Sequence, residues 1–178
     1  MSSKPTGNLG VTLIELIVTI SIAAILMGIA IPSFTSTIRS NQLTTYANEL
    51  VASFNLARSE AIKRGVRVSV RRKGSASRNW DSGWDIFTDL NGNGTLDTED
   101  TLLKTYPALT SGFTLRTGAN FADFVVYLPT GLLIHISDTF ISDTLRLCDS
   151  SANTTNSRAI TINAVGRPRA SEGTTACP

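Results

Sequence analysis

The stretch Gly10–Ile31, GVTLIELIVTISIAAILMGIAI, decides how the rest of the chain is read. From Val11 to Ile31, 16 of 21 residues are apolar and a single charge, Glu15, interrupts them. As an α-helix rising about 1.5 Å per residue, this segment is about 31 Å long, the hydrocarbon thickness of a bilayer. Globular core helices seldom stay apolar on all sides for this length. The segment is therefore expected to span a membrane. A carboxylate inside it costs about 2.5–3.5 kcal/mol at the bilayer centre and less near an end, so Glu15 calls for a partner unless it snorkels to the interface.

Ten mostly polar residues, MSSKPTGNLG, precede the stretch, with one positive charge at Lys4. An ordinary secretory signal carries its small-residue cleavage site after the apolar region; here the candidate site, Gly10, comes before it. The run Gly10-Val11-Thr12-Leu13-Ile14-Glu15 resembles the type III signal of type IV pilins and type II secretion pseudopilins. Val11 stands where phenylalanine or methionine is commoner in that family. The resemblance implies a leader, residues 1–10, that a prepilin peptidase removes after Gly10. It also implies N-methylation of Val11, and pairing of Glu15 with the positive N-terminus of a neighbouring subunit during filament assembly. Loss of the leader leaves 168 residues and lowers the formal net charge from +2 to +1.

Beyond Pro32, which should kink the helix or end its membrane part, the pattern turns amphipathic. Leu43, Ala47, Leu50, Phe54, Ala57 and Ala61 recur at four- and three-residue intervals and define one helix face. Lys63 and Arg64 suit the negative end of the helix dipole, and Gly65 suits its C-terminal cap. The expected divisions are thus a leader (1–10), a transmembrane and assembly helix (11–31), an amphipathic helix (32–64) and a β-rich head (65–178).

From Val66 the period becomes two. Val66, Val68 and Val70 alternate with Arg67, Ser69 and Arg71, as in a half-buried strand. Further strands are expected at 84–87, 102–106 and 113–116. Hairpins are expected from 124–128 with 132–136, and from 145–148 with 158–165. LARSEAIKRG followed by VRVSV, the stretch from Gly83 to Asp89, the turn around Pro129-Thr130-Gly131, and Gly166-Arg167 together resemble the GspH/FimT family of minor pilins and pseudopilins. The resemblance implies an α+β, pilin-like fold: a long N-terminal helix packed on an antiparallel β-rich head. It places the chain in the bacterial inner membrane, with its head in the periplasm, before assembly into a pilus exposed at the cell surface. Only two cysteines occur, Cys148 and Cys177. An even pair in an exported protein is expected to form a disulfide, the alternative being two free thiols.

Two basic regions compete as a binding surface. Gly166-Arg167-Pro168-Arg169 places two guanidiniums two residues apart, on one side of an extended chain, where they could meet adjacent phosphates. This G-R-x-R segment is similar to the DNA-binding tail of competence-type FimT pilins, which implies double-stranded DNA as partner. Arg146 and Arg158, on the hairpin leading into the tail, are candidates to extend it. The second region, Arg58 to Arg78, holds eight cations and one acid, Glu60. It lacks interleaved aromatics and is followed by six acids, so an internal charge match or subunit packing is the favoured role. Arg71, Arg72 and Lys73 remain candidates to assist DNA binding.

The loop Asp89–Asp100, DLNGNGTLDTED, carries most of the oxygen spacing of a calcium loop: Asp89, Asn91, Asn93, Asp97 and Asp100, with Gly94 sixth. Its last ligand is aspartate rather than glutamate, and Asn-Gly pairs are ordinary turn chemistry. A polar turn is the favoured reading, and no cofactor is expected. His135, the sole histidine, sits in an apolar run. No nucleophile triad, metal-spaced cluster or phosphate loop accompanies it, so the sequence points away from an enzyme. The functions left are a DNA-binding minor pilin, a type II secretion pseudopilin whose partners are other pilins, and a calcium-stabilised adhesin.

Overall fold

The computed structural model describes residues 10–134, 141–151, 154–173 and 177, with the side chains at 31–33 and 155 excepted. Expectations about residues 1–9, about His135 and Ile136, and about the Pro32 side chain fall outside the described set.

One helix, α1, runs from Leu13 to Arg64. Thr12 caps its start, accepting a hydrogen bond from the Glu15 amide through Oγ1 at 3.3 Å. The helix passes through position 32 without ending there, because the neighbouring turns continue on both sides. It stops at Arg64. Gly65 adopts φ +69°, and its amide reaches the Ala61 carbonyl at 3.0 Å, as a glycine cap should.

The chain divides into two compact units, residues 1–39 and 40–178. In the first, the apolar side chains of Val11 to Met27 are exposed, and the helix is long and apolar enough to cross a membrane. In the second, Leu43, Ala47, Leu50, Phe54, Ala57 and Ala61 are all buried. The face that the spacing predicts is the face that packs.

The described residues of the second unit form nine strands. Sheet A comprises β1 (Val68–Arg72), β2 (Trp84–Thr88), β3 (Leu102–Tyr106), β5 (Phe124–Tyr127) and β6 (Leu133–Ile134), in the order β3-β2-β1-β5-β6. Sheet B comprises β4 (Phe113–Arg116), β7 (Asp143–Asp149), β8 (Arg158–Ile162) and β9 (Pro168–Glu172), in the order β4-β7-β8-β9. All pairings are antiparallel. The inner face of sheet B is apolar: Leu115, Leu145, Leu147, Ile160 and Ile162 join the helix residues in one core. Two tryptophans lie in this core with their indole N–H groups satisfied. Trp84 donates to Ser53 Oγ at 3.0 Å and Trp80 to the Phe121 carbonyl at 3.1 Å.

The structure changes two strand expectations. β1 lies at the centre of sheet A, and Ser69 is as buried as its valine neighbours. The cause is the Asp89–Asp100 loop, whose Asp89 carboxylate accepts the Ser69 hydroxyl. The basic C-terminal segment, expected as an extended tail, forms the edge strand β9, paired along its length with β8. The disulfide Cys148–Cys177 joins the chain beyond β9 to β7, closing a sequence separation of 29.

Candidate nucleic-acid interface

The β8–β9 connection is built by its own side chains. Asn163 accepts the Gly166 amide at its carbonyl (2.8 Å) and the Arg167 amide at Oδ1 (3.0 Å). This is the local turn chemistry that asparagine supplies best. Gly166 completes the turn with φ +77°, a conformation a β-carbon strains. Its surroundings leave no room either: a Cβ there would stand 2.3 Å from the Gly131 carbonyl oxygen and 2.8 Å from Tyr127. The Tyr127 hydroxyl donates to the Gly166 carbonyl at 3.3 Å, and the Leu133 amide donates to the Ala164 carbonyl at 3.1 Å. Arg58 Nε donates to the Gly131 carbonyl at 3.1 Å. The hairpin tip is thus fastened to the β5–β6 turn and through it to α1.

Arg167 and Arg169 project from this fastened hairpin into solvent. With Thr161, Asn163 and Pro168 they line one surface groove. Neither guanidinium takes an ion pair among the described residues. Two exposed cations held beside a groove form a surface suited to phosphates. Thr161 and Asn163 belong to that groove and are absent from the sequence-derived set. The signal for Asn163 is the spacing Asn-x-x-Gly.

Arg146 and Arg158 part company. Strand register sets Arg146 opposite Ala159, and Leu147 opposite Arg158. Side chains alternate along a strand, so Arg146 falls on the outer face and Arg158 on the core face with Ile160 and Ile162. Arg158 is only 6 % exposed. Its guanidinium donates to the carbonyls of Asn156 and Ser157 at 3.1 Å each, and reaches Thr44 Oγ1 at 3.3 Å and Glu172 at 3.1 Å. Arg158 is a structural cation and does not extend the exposed patch.

The denser cluster between Arg58 and Arg78 is largely consumed inside the fold. Arg72 pairs with Asp123, Lys73 with Asp85 at 3.3 Å, and Lys63 and Arg64 with Glu60. Arg71 donates to the Gly94 carbonyl and to Thr95. Arg71 thus binds the loop after β2, Arg72 the residue before β5, and Lys73 strand β2 itself, which is the internal charge match, one of the two roles favoured from the sequence.

The Asp89–Asp100 loop is also committed internally. Asp89 is fully buried; besides Ser69, it accepts the amides of Gly92 at 2.7 Å and Gly94 at 2.9 Å. Asp100 accepts the amides of Leu90 and Asp97. The Asn91 and Asn93 side-chain amides donate to Asp97 and hold its carboxyl below the ordinary aspartate range. Among the described residues, no group of three or more His, Cys, Asp or Glu side chains is arranged to hold a metal ion.

A family model described as type II transport protein GspH matches residues 46–166. The match ends at Gly166, so Arg167 and Arg169 lie just beyond it. Two crystal structures of the type IV minor pilin FimU of Pseudomonas aeruginosa are similar in fold, both at 21% identity. One has a TM-score of 0.62 and covers 77% of this chain and 93% of that one. The other has a TM-score of 0.59 and covers 76% and 97%. No curated protein sequence matches.

Proposed function

This chain belongs to the GspH family, with the fold of a GspH/FimT-like minor pilin, and from that premise we propose that it joins a type IV pilus and holds extracellular double-stranded DNA for uptake in natural transformation. The observation that carries this reading is the β8–β9 hairpin, with Arg167 and Arg169 exposed, without an ion pair among the described residues, and beside one groove. Contact is with backbone phosphates and is independent of sequence. Two cations per subunit give weak binding, so retention depends on several subunits acting on one DNA molecule.

The leader is cut after Gly10, Val11 is methylated, and Glu15 meets the Val11 terminus of a neighbouring pilin in the filament. Before assembly the apolar half of α1 anchors the chain in the inner membrane. These steps rest on the sequence of the signal and on the family.

The test is binding of a linear duplex to the full chain in non-ionic detergent. The wild type should bind, and Arg167→Ala/Arg169→Ala should bind markedly more weakly, with thermal unfolding unchanged. A double variant that binds like wild type contradicts the assignment. The description of the matched family favours a second reading, a minor pseudopilin of type II secretion whose partners are other pilins. A wild-type chain that fails to bind DNA supports that reading.

A further inference from the structure

The register of sheet B places a third cation on the same side as the hairpin. Arg146 is opposite Ala159, and Arg169 is opposite Thr161 two residues further along β8. Alternation then puts Arg146, Thr144, Thr161 and Arg169 on one face. These four side chains point away from the core, since the intervening Leu145, Leu147, Ile160 and Ile162 are buried in it; Ala159 and Cys148 share the face but are buried. Between the two arginines, the hydroxyls of Thr144 and Thr161 hydrogen-bond across the strands at 2.9 Å. Two strand spacings and two residues of rise separate the arginine α-carbons by about 12 Å.

Charge on this face is uneven. Arg116, the cross-strand neighbour of Arg146, pairs with Asp81. Arg146 is exposed and takes no ion pair among the described residues. The side chains the register sets on this face of β7, β8 and β9 include no aromatic ring, so it offers charge and hydroxyls but no platform for stacked bases.

We infer that the outer face of sheet B is the second half of the DNA-binding surface, with Arg146 taking a backbone phosphate of the same duplex that Arg167 and Arg169 hold. This rests on the DNA-binding reading and deepens it. The ligand is an extended polyphosphate rather than a single anion, because about 12 Å along a duplex axis spans three to four phosphates of one strand. The hydroxyl pair lies between the two cationic points and, with one O–H spent within the pair, leaves one neutral donor for the backbone crossing it.

The experiment is a salt titration of duplex binding by the full chain in non-ionic detergent, comparing wild type with Arg146→Ala, Arg146→Lys and Lys104→Ala. Lys104 is exposed on β3 of the other sheet, so its loss changes the net charge equally at a different place. Arg146→Ala should flatten the log–log slope by about 0.9 and weaken binding roughly two- to fivefold. Arg146→Lys should keep the slope, and Lys104→Ala should leave both quantities at wild-type values. If Arg146→Ala and Lys104→Ala behave alike, the face is not a contact surface and the inference falls, while the hairpin reading stands. If Arg167→Ala/Arg169→Ala binds like wild type, the hairpin reading falls. The Arg146→Ala slope then decides on its own whether the sheet face binds DNA.

Discussion

Gly131 and Gly166 lie so close that a β-carbon on Gly166 would stand 2.3 Å from the Gly131 carbonyl oxygen. Both glycines have φ +77°, and each ends a turn: one between β5 and β6, the other between β8 and β9. Their contact fastens sheet B's exposed hairpin to sheet A and, through Arg58, to α1. A binding strand at the edge of a sheet would otherwise be the easiest element to fray.

Gly166→Ala therefore meets both a strained backbone and a backbone oxygen that cannot move aside. We expect a loss of about 1–3 kcal/mol, measured by urea unfolding, together with weaker DNA binding. A variant as stable as the wild type would mean that the two turns part without cost.

Tyr127 completes the same lock through its hydroxyl on the Gly166 carbonyl. Tyr127→Phe should cost about 1 kcal/mol. Burial raises the phenol above its ordinary pKa of 10.0, opposed by the nearby Arg58 cation. The fold thus favours the neutral phenol. The stability this contributes is present in full below about pH 10 and is lost as the pH rises further, because the unfolded chain gives up the proton first. Measured against Tyr127→Phe, the wild type should lose up to about 1.4 kcal/mol per pH unit above pH 10. Parallel curves for the two proteins would contradict this.

Arg158 and Arg167 should respond oppositely. Arg158→Ala removes a charged donor from two backbone carbonyls and from Thr44. It should cost about 1.5–3 kcal/mol in stability and leave the salt dependence of DNA binding intact. Arg167→Ala should change the salt dependence and leave stability intact. Urea unfolding and salt titration of the same two variants separate the roles.

Much of this was legible beforehand. The buried face of α1 follows from its spacing, because one stripe of a helix must meet one core. Seven of the nine strands among the described residues overlap apolar runs or alternations between turn residues; β6 does so over its described residues. β9 carries no such signal: Pro168-Arg-Ala-Ser-Glu172 has no β-branched or aromatic residue. Its pairing is dictated by the Asn163–Gly166 turn and by β8, a tertiary constraint. The inward position of Arg158 is legible in the sequence. It shares the parity of Ile160 and Ile162, and parity decides the face more strictly than nearness in sequence. Asp89 shows the reverse: its spacing suits a cation loop, yet its place at the end of β2 beside Ser69 turns the carboxylate inward, which no spacing reveals.

The disulfide offers a further check. Closing a separation of 29 residues stabilises by about 3.5 kcal/mol on the chain-entropy model. Cys148→Ser/Cys177→Ser should lose about that much in urea unfolding. The variant's β-sheet circular dichroism should persist, since β9 is held by its ladder to β8 as well as by the crosslink. An unchanged stability would mean that the bridge constrains little.

The central claim is that Arg167 and Arg169 meet DNA phosphates, and the salt dependence of duplex binding by the full chain in non-ionic detergent tests it most directly. Two to four phosphate contacts predict a log–log slope of about −2 to −4 for the wild type, flattened by about 1.8 in Arg167→Ala/Arg169→Ala. A flat wild-type slope, or the same slope in both proteins, would contradict it.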